Sequence, residues 1–424
     1  MIVIKNKMTQ RLHIVLFTGF FVLIQLSGIA QVNKNQQFLE KIGTIDSLYS
    51  ETLKDYREIY IQLPDNYNSE HKEKYPVVYI LDGEVLLSTV KNVQDFYSGG
   101  FTSEMVLVGI SNAKNRTRDL TTSTITEKYG MPFNEENGAA DNFSEFIESE
   151  LIPFIENKYP VTSFRTLIGH SYGGLFTIYM LINHPQLFSN YIAIDPSLDW
   201  DNQKLLIEAQ QKLPKNNYKN KSLFMSLNGQ LHMQDPKVTI ENVMQDSSDF
   251  TLFARSNISF SNMVKQNNKN GLAFEWKFYP RDLHGTISFP SIMDGLIFDF
   301  EWYQMENTDK FNSPTTSKEE LYGIVNYRAK KLKDYFGYTV PPYPEDLLNM
   351  LGYMSLDMEQ LEKSKMFFEF AIRFYPNSPD SYYAMSEYYE RIKDDENAFN
   401  FATKAYEINQ SEYYKLRMEK LMKK

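Results

Sequence analysis

Apolar residues in the long N-terminal part of the chain form short runs, separated by segments with helical spacing. The continuous apolar runs at residues 75–81 and 105–110 are typical of strands buried on both faces. Apolar positions at residues 143–159 recur with the period of a helix, which leads into a β-prone segment at 165–168. This alternation predicts an α/β fold with a mostly parallel central sheet and flanking helices over residues 31–305. Further strands are predicted at residues 57–64, 191–194, 222–227 and 274–279.

A different pattern follows this region. Residues 306–343 begin with a polar stretch, typical of a linker, and continue as a connecting helix. Beyond them, small and large residues recur 34 positions apart, as at Gly352 and Ser386, and this is the period of tetratricopeptide repeats. We predict a small all-α domain at residues 344–424, with two tetratricopeptide-like repeats and a capping helix. An ordinary helical extension with coincidental spacing is the alternative.

The first residues of the chain carry the pattern of a secretory signal peptide. Lys5, Lys7 and Arg11 precede an apolar run at residues 12–26, and small residues follow at its end. A membrane anchor is the alternative because the run approaches the length that spans a bilayer, but the small residues favour cleavage. We therefore expect residues 1–30 to be removed and the mature protein to be secreted or periplasmic.

Charge and composition narrow the set of partners. Without residues 1–30 the chain has 41 basic and 54 acidic side chains, a net charge of −13. This charge argues against nucleic acids and anionic membrane surfaces as partners. The sequence contains no cysteine, which excludes disulfides, thiolate chemistry and a lipid anchor on cysteine. Phe, Tyr and Trp make up 15% of the residues, enough to form the core and the walls of an apolar or sugar-like binding site.

The most informative motif is G-x-S-x-G, present as Gly169-His170-Ser171-Tyr172-Gly173. A β-prone segment precedes it and an apolar, helix-prone segment follows, which is the strand–turn–helix context of a nucleophilic serine. We expect the turn to be too tight for a Cβ on either side of the serine, and the serine backbone to be strained. A chance match in a glycine-containing turn is the alternative. The motif predicts Ser171 as a nucleophile.

A serine nucleophile needs a base, which in this arrangement follows the serine and the acid along the chain. Beyond Ser171 the sequence has His184, His232 and His284. His184 stands where the helix after the motif ends, so a helix-end role fits it better than that of a base. His284 follows the predicted strand at residues 274–279, at the edge where the catalytic groups of an α/β sheet collect. We therefore predict His284 as the base.

The acid that orients the base is expected in the loop after the predicted strand at residues 222–227. Asp235 and Glu241 both qualify by position, and Asp235 is preferred. An acidic residue in a loop is more often simply solvated, so both assignments depend on the fold.

An oxyanion hole needs two backbone N–H groups aimed at the developing negative charge. One is expected from Tyr172, directly after the nucleophile. The other is expected from the turn after residues 75–81, at Gly83 or its neighbour Glu84.

Five segments of the chain match a family pattern: residues 75–84, 150–155, 165–174, 195–200 and 284–285. Through them the chain resembles the family of α/β-hydrolases known as Putative esterase, which includes esterase D-like, siderophore, feruloyl and acetyl-xylan esterases. The resemblance implies an α/β-hydrolase fold and carboxylic-ester hydrolysis through an acyl-enzyme on Ser171, with His284 as base and without a cofactor or metal. At the usual position of the acid this chain has Asn228-Gly229-Gln230, which departs from the family pattern.

Two functions from different classes are compatible with these features. The first is a secreted serine esterase that acts on a siderophore, an acylated carbohydrate or another small acyl ester. The second is a binding or assembly protein on a hydrolase scaffold, with the repeats as a surface for a protein partner. The intact Ser171 and His284 favour the esterase, and a peptidase or acyltransferase is a third, weaker alternative. Because two repeats bury little surface by themselves, we expect them to dock on the esterase domain, bordering its cleft.

Overall fold

A computed structural model of the protein describes residues 42–65, 67, 74–232 and 234–423. The predicted signal peptide at residues 1–30 therefore lies outside the described residues. The described part contains a main sheet of eight strands and a two-stranded hairpin. In chain order the strands are β1 (Thr44–Ser50), β2 (Asp55–Gln62), β3 (Tyr75–Leu81), β4 (Val106–Ile110), β5 (Glu127–Lys128), β6 (Met131–Pro132), β7 (Val161–His170), β8 (Asn190–Ile194), β9 (Lys221–Asn228) and β10 (Leu272–Tyr279).

Helices cover both faces of the main sheet and form the C-terminal region. Those before residue 305 are α1 (Gly83–Tyr97), α2 (Arg116–Leu120), α3 (Ala140–Phe146), α4 (Ile152–Lys158), α5 (Tyr172–Asn183), α6 (Trp200–Lys212), α7 (Leu252–Gln266) and α8 (Ser288–Phe300), with a π-helical turn between α3 and α4. Those after it are α9 (Thr308–Asn312), α10 (Lys318–Phe336), α11 (Glu345–Asp357), α12 (Leu361–Phe374), α13 (Pro379–Arg391), α14 (Asp395–Ile408) and α15 (Glu412–Met422). Within the described residues, no helix has both the length and the apolar character needed to cross a membrane.

The main sheet is mixed, with strand order β1-β2-β4-β3-β7-β8-β9-β10. β2 pairs antiparallel with both β1 and β4, while every pair from β4 to β10 is parallel. This agrees with the predicted mostly parallel sheet. Because the strands from β4 to β10 run in one direction, their carboxyl ends meet at one edge, where ligands bind in folds of this kind.

Apolar layers on the two faces of the sheet explain the continuous apolar runs in the sequence. Along β3, Val77 and Tyr79 belong to one layer, and Val78 and Ile80 belong to the other. Successive strand residues point to opposite faces, so a strand covered by helices on both sides must be apolar throughout.

The C-terminal helices form two consecutive helical hairpins, α11 with α12 and α13 with α14. Each helix of the second hairpin begins 34 residues after its counterpart, at 379 against 345 and at 395 against 361. Three hydrogen bonds in these helices join residues with this separation: Tyr353 to Glu387, Arg391 to Asp357 and Tyr414 to Asp380. The helix spacing matches the predicted period, and the assignment to tetratricopeptide repeats stays a prediction.

Helix α10 attaches these hairpins to the main sheet. Its Leu332 and Phe336 are buried in the same apolar layer as Phe164, whose ring meets that of Phe336 edge to face at 5.0 Å. Thr162 Oγ1 lies 3.1 Å from the hydroxyl of Tyr338, just beyond α10. These contacts lie near the amino end of β7, about 25 Å along the strand from its carboxyl end. The tail therefore docks on the main sheet as expected, and it does so through α10, away from the end of β7 that holds Ser171. The position of the repeats beside the cleft stays a prediction.

Candidate active site

Ser171 lies between β7 and α5 in the sharp turn that the motif predicted. Its backbone has φ 60° and ψ −115°, a region that residues with a side chain rarely adopt. The backbone N–H of Ser171 donates to the carbonyl oxygen of Ile194 at 3.0 Å, and its carbonyl oxygen accepts from the N–H of Leu175 at 2.9 Å. The expected strain is therefore present, and hydrogen bonds to β8 and α5 hold it in place.

Close packing explains only some of the glycines around Ser171. A Cβ at Gly169 would lie 2.2 Å from the carbonyl oxygen of Gly173, which the backbone cannot accommodate. At Gly173 itself the nearest atom would be 3.5 Å away, an ordinary contact. The crowded position after the serine is Gly174, whose Cβ would lie 2.9 Å from the carbonyl oxygen of Ile194. The prediction of a tight turn is thus correct for Gly169 and wrong for Gly173.

The structure brings His284 to Ser171, as the sequence predicted. His284 lies in the loop between β10 and α8, and its Nε2 is 3.0 Å from Ser171 Oγ. Ser197 Oγ is a second neighbour of the serine hydroxyl, at 3.3 Å. Phe253 places its ring edge to face with His284 at 5.5 Å, which covers one side of the imidazole. A proton acceptor therefore stands within hydrogen-bond reach of the serine hydroxyl.

The predicted acid does not lie at this site. Asp235 is exposed in the loop after β9, where Oδ1 accepts from the backbone N–H of Lys237 at 2.9 Å. The alternative, Glu241, is also exposed. The carboxylate next to His284 belongs to Asp195, whose Oδ2 is 2.5 Å from His284 Nδ1. The physical reason is topological: β8 lies beside β7, so its carboxyl end reaches the histidine, while the loop that holds Asp235 points away.

Asp195 follows directly after β8, is fully buried, and has a left-handed backbone with φ 46°. Its carboxylate also accepts from Asn228, at the end of the neighbouring strand β9. The backbone N–H of Asn228 donates to Oδ1 at 3.1 Å, and the side-chain Nδ2 donates to Oδ2 at 2.5 Å. The sequence held a usable signal, because Asp195 stands immediately after a predicted strand, in one of the segments that carry the family resemblance.

His170, the residue before the nucleophile, contacts the loop of His284. Its Nε2–H donates to the carbonyl oxygen of His284 at 2.8 Å, and the two rings lie 4.6 Å apart. Burial, and secondarily the neighbouring His284, lowers the pKa of His170 from 6.5 to about 4. His170 is therefore neutral at physiological pH and adds no positive charge beside His284.

Of the histidines in the part of the chain that the structure describes, the two that remain, His184 and His232, lie away from Ser171. His232 Nδ1 accepts from the backbone N–H groups of Gln234 and Asp235, at 3.0 and 2.8 Å, within its own loop. His184 ends α5, where its Nε2 is 3.4 Å from Ser144 Oγ. Both placements agree with the choice of His284 as base.

Both predicted oxyanion-hole residues begin a helix. Tyr172 is the first residue of α5 and Gly83 the first of α1, and the first N–H groups of a helix have no acceptor within it. Gly83 also has a packing reason to be glycine, because a Cβ there would lie 2.5 Å from the Cα of Gly109. Arg116 connects the two helix starts: it binds Asp82 with two hydrogen bonds, at 2.8 and 2.9 Å, and donates to the carbonyl oxygen of His170 at 3.0 Å.

The β5–β6 hairpin supplies a cation beside Tyr172. Lys128 Nζ is 3.1 Å from the hydroxyl of Tyr172 and lies 5.3 Å from the ring centres of both Tyr129 and Trp200. The hydroxyl of Tyr129 binds Asp199, which fixes the tip of the hairpin. An aromatic wall with a lysine thus lies next to the residue that follows the nucleophile.

One group of potential metal ligands occurs among the described residues, and it coincides with this site. Ligand atoms of His170, Asp195 and His284 lie within 4.8 Å of one another. Their hydrogen bonds account for this grouping, because His284 Nδ1 faces Asp195 and His170 Nε2 faces the carbonyl oxygen of His284.

Comparison with known proteins assigns the chain to a family. The model of the family named Putative esterase matches residues 50–270, just over half of the chain. The chain belongs to the Putative esterase family. The matched segment contains Ser171 and Asp195 and ends before His284. The fold brings His284 into contact with both residues.

Individual relatives include siderophore esterases. The siderophore triacetylfusarinine C esterase of Aspergillus fumigatus is 33% identical over 150 residues, 32% of this chain and 48% of that protein. The ferri-bacillibactin esterase of Bacillus subtilis is 33% identical over 148 residues, 31% of this chain and 51% of that protein. The chain thus spans about half the length of these curated relatives. An IroE-like serine hydrolase from Shewanella oneidensis is similar in structure, with a TM-score of 0.63 at 28% identity over 78% of this chain and 99% of that one.

Proposed function

We propose that the protein is a serine esterase that hydrolyses a carboxylic ester through an acyl-enzyme on Ser171. The observation that carries the proposal is the continuous hydrogen-bonded series from Ser171 Oγ to His284 Nε2 and from His284 Nδ1 to Asp195 Oδ2. This is the arrangement that activates a serine hydroxyl in unrelated hydrolase folds. Membership of the Putative esterase family supports the same reaction class.

The geometry supports the following reaction. Ser171 Oγ attacks the ester carbonyl carbon while its proton passes to His284 Nε2. The carbonyl oxygen becomes an oxyanion that accepts from the N–H groups of Tyr172 and Gly83. The intermediate collapses when the ester C–O bond breaks and His284 returns the proton to the leaving alcohol. Water then attacks the acyl-enzyme with His284 again as base, the bond between the acyl carbon and Ser171 Oγ breaks, and His284 returns the proton to Ser171 Oγ as the acid leaves. Throughout, Asp195 keeps Nδ1 protonated and the ring in place.

For the substrate, we propose a siderophore-type ester that the protein meets outside the cytoplasm. Two relatives are named as siderophore esterases, which supports this substrate class. Side chains near the proposed triad suit a large aromatic or apolar ester, because Val85, Tyr129 and Leu283 are each more than half exposed. Secretion rests on the predicted signal peptide at residues 1–30.

The test combines active-site labelling with ester hydrolysis by the full chain. We expect a fluorophosphonate probe to label the wild-type protein, and Ser171→Ala to lose both labelling and hydrolysis of p-nitrophenyl butyrate, by up to about six orders of magnitude in kcat. Asp195→Asn should lower kcat by about 10⁴-fold, because the histidine then adopts the wrong tautomer. Asp235→Asn is the matched control and should keep wild-type rates. Labelling that survives in Ser171→Ala would refute the assignment of the nucleophile.

The substrate class is tested separately with a panel of siderophore esters, acetylated sugars and feruloyl esters. We expect the highest kcat/KM for a siderophore ester. Rapid hydrolysis of p-nitrophenyl butyrate together with no turnover of any siderophore ester would leave the reaction intact and refute the substrate.

A further inference from the structure

The carboxyl end of β9 carries an amide at the position where the family resemblance implied an acid. Asn228 is the last residue of β9 and is buried. It donates two hydrogen bonds to Asp195, one to each carboxylate oxygen. The oxygen that accepts from its side chain is Oδ2, which also faces His284 Nδ1. Asn228 therefore contacts the same atom as the proposed base.

The orientation of the Asn228 side chain follows from its second partner. Its Oδ1 accepts from the backbone N–H of Gln230 at 2.6 Å, so its Nδ2 must be the atom that faces Asp195. The next residue holds the same segment against the loop of the histidine, because the N–H of Gly229 donates to the carbonyl oxygen of Asp282 at 2.9 Å. The Asn228 amide is thus held by Gln230 on its oxygen and by Asp195 on its nitrogen.

A buried carboxylate depends on such donors. Asp195 has no exposed surface, and an unpartnered carboxylate in that position would be strongly unfavourable. His284 supplies one donor, and Asn228 supplies two. Resting on the proposed esterase function, we propose that Asn228 is a positioning residue that fixes the Asp195 carboxylate for His284 from the neighbouring strand.

The same geometry explains why an amide suits this position better than a carboxylate. In an Asn228→Asp variant, the new carboxylate would accept from Gln230 with one oxygen and present the other to Asp195 at about the present donor distance. Two carboxylates this close cannot both be ionised without strong repulsion. In its protonated form the new side chain would donate to Asp195 as asparagine does, whereas in its ionised form it would repel Asp195.

The first test removes the side-chain donor and compares it with a matched loss elsewhere in the sheet. We expect Asn228→Ala to lower kcat for p-nitrophenyl butyrate roughly 10- to 100-fold, the value of a hydrogen bond to a charged group, with little change in KM. The control is Asn190→Ala at the opposite end of β8, where the buried Asn190 binds Thr166 and Ser222. It should lose stability and keep its kcat. Wild-type kcat in Asn228→Ala would overturn the proposal.

The second test uses pH and does not depend on the stability of the alanine variant. We expect the ratio of kcat/KM in Asn228→Asp to that of the wild type to be closest to one at low pH and to fall as pH rises. A ratio that does not change with pH would show that the donor at this position does not act on Asp195, and that outcome would also overturn the proposal. Fluorophosphonate labelling of the wild-type protein separates the two hypotheses, because its absence would refute the esterase function and not the role of Asn228.

Discussion

Two members of the proposed triad have backbone angles that residues with a side chain seldom adopt. Ser171 has φ 60° and Asp195 has φ 46°, and each follows directly after a strand of the sheet. Such angles cost of order 1–3 kcal/mol per residue. In both cases the turn carries a side chain off the end of its strand and towards His284. The strain is therefore located where it sets the geometry of the serine, the histidine and the carboxylate.

His170 provides a prediction about pH at the same scale. Its pKa falls from 6.5 to about 4 on folding, so between these values the unfolded chain binds a proton that the folded chain does not. The free energy of unfolding should therefore fall as pH drops from about 6.5 to about 4, by up to about 3 kcal/mol. His170→Gln keeps an N–H donor for the carbonyl oxygen of His284 and does not titrate.

The measurement is urea unfolding of wild type and His170→Gln at pH 7 and pH 4.5. Other titrating groups affect both proteins, so the difference between them isolates His170. We expect the wild type to lose more stability than the variant on acidification. Equal losses would contradict a neutral, buried His170.

At the residue scale the sequence predicts the nucleophile and the base better than the acid. Ser171 lies in a rare motif. Only three histidines follow it in the sequence, so the base can be chosen by excluding the other two. The chain has 54 acidic residues. Which of them meets the histidine depends on which strand end lies beside it, and strand order is a property of the folded sheet. That is why the sequence favours Asp235 and misses Asp195.

At the scale of elements, apolar runs predict the buried strands well. Residues 75–81 and 222–227 correspond closely to β3 and β9. A strand covered on both faces is apolar at nearly every position, so it stands out in the sequence as a continuous run. Helix α1, whose start supplies Gly83, has a mixed pattern, and the β5–β6 hairpin consists of two-residue strands. Neither leaves a clear signal in a single sequence, although both lie near Ser171.

The contact between the end of β9 and the loop of His284 carries the next prediction. A Cβ at Gly229 would lie 2.3 Å from the carbonyl oxygen of Pro280, so Gly229→Ala must push this loop away from β9. A displacement of about 1 Å at a catalytic group can cost 10²-fold in rate. We expect Gly229→Ala to lower kcat by about that factor.

Gly285→Ala is the matched control, because Gly285 adjoins His284 in the same loop and a Cβ there would meet nothing within 4 Å. Its kcat for p-nitrophenyl butyrate should stay near that of the wild type. Equal kcat values in the two variants would show that the spacing between β9 and the loop does not set the position of His284.

At the scale of the whole molecule, the C-terminal region is joined to the main sheet through α10, whose Leu332 and Phe336 lie in the core of that sheet. Arg328 in α10 is buried and donates to the carbonyl oxygens of Tyr303, Gln304 and Pro342, at 2.7 to 2.9 Å. The ring of Tyr335 stacks on Trp302 with ring centres 4.1 Å apart. These contacts join the segment after α8 to α10 and to the turn before α11.

The position of α10 predicts that two truncations behave differently. A chain that ends at residue 310 loses Leu332 and Phe336 from the apolar layer, and burial of each such side chain contributes about 1.5–3 kcal/mol. This is a large part of the roughly 5–15 kcal/mol that stabilises a typical domain, so we expect a steep fall in Tm or insoluble protein. A chain that ends at residue 377 keeps α10 and the first hairpin, and its Tm should fall much less.

Kinetics of the longer truncation test where the tail docks. Because the docking surface lies about 25 Å along β7 from Ser171, the ratio of kcat/KM for a short and a bulky ester should match that of the full chain. A changed ratio would mean that the second hairpin reaches the substrate after all. Equal stability of both truncations would instead show that α10 contributes nothing to the core, and the hairpins would then be an independent binding module.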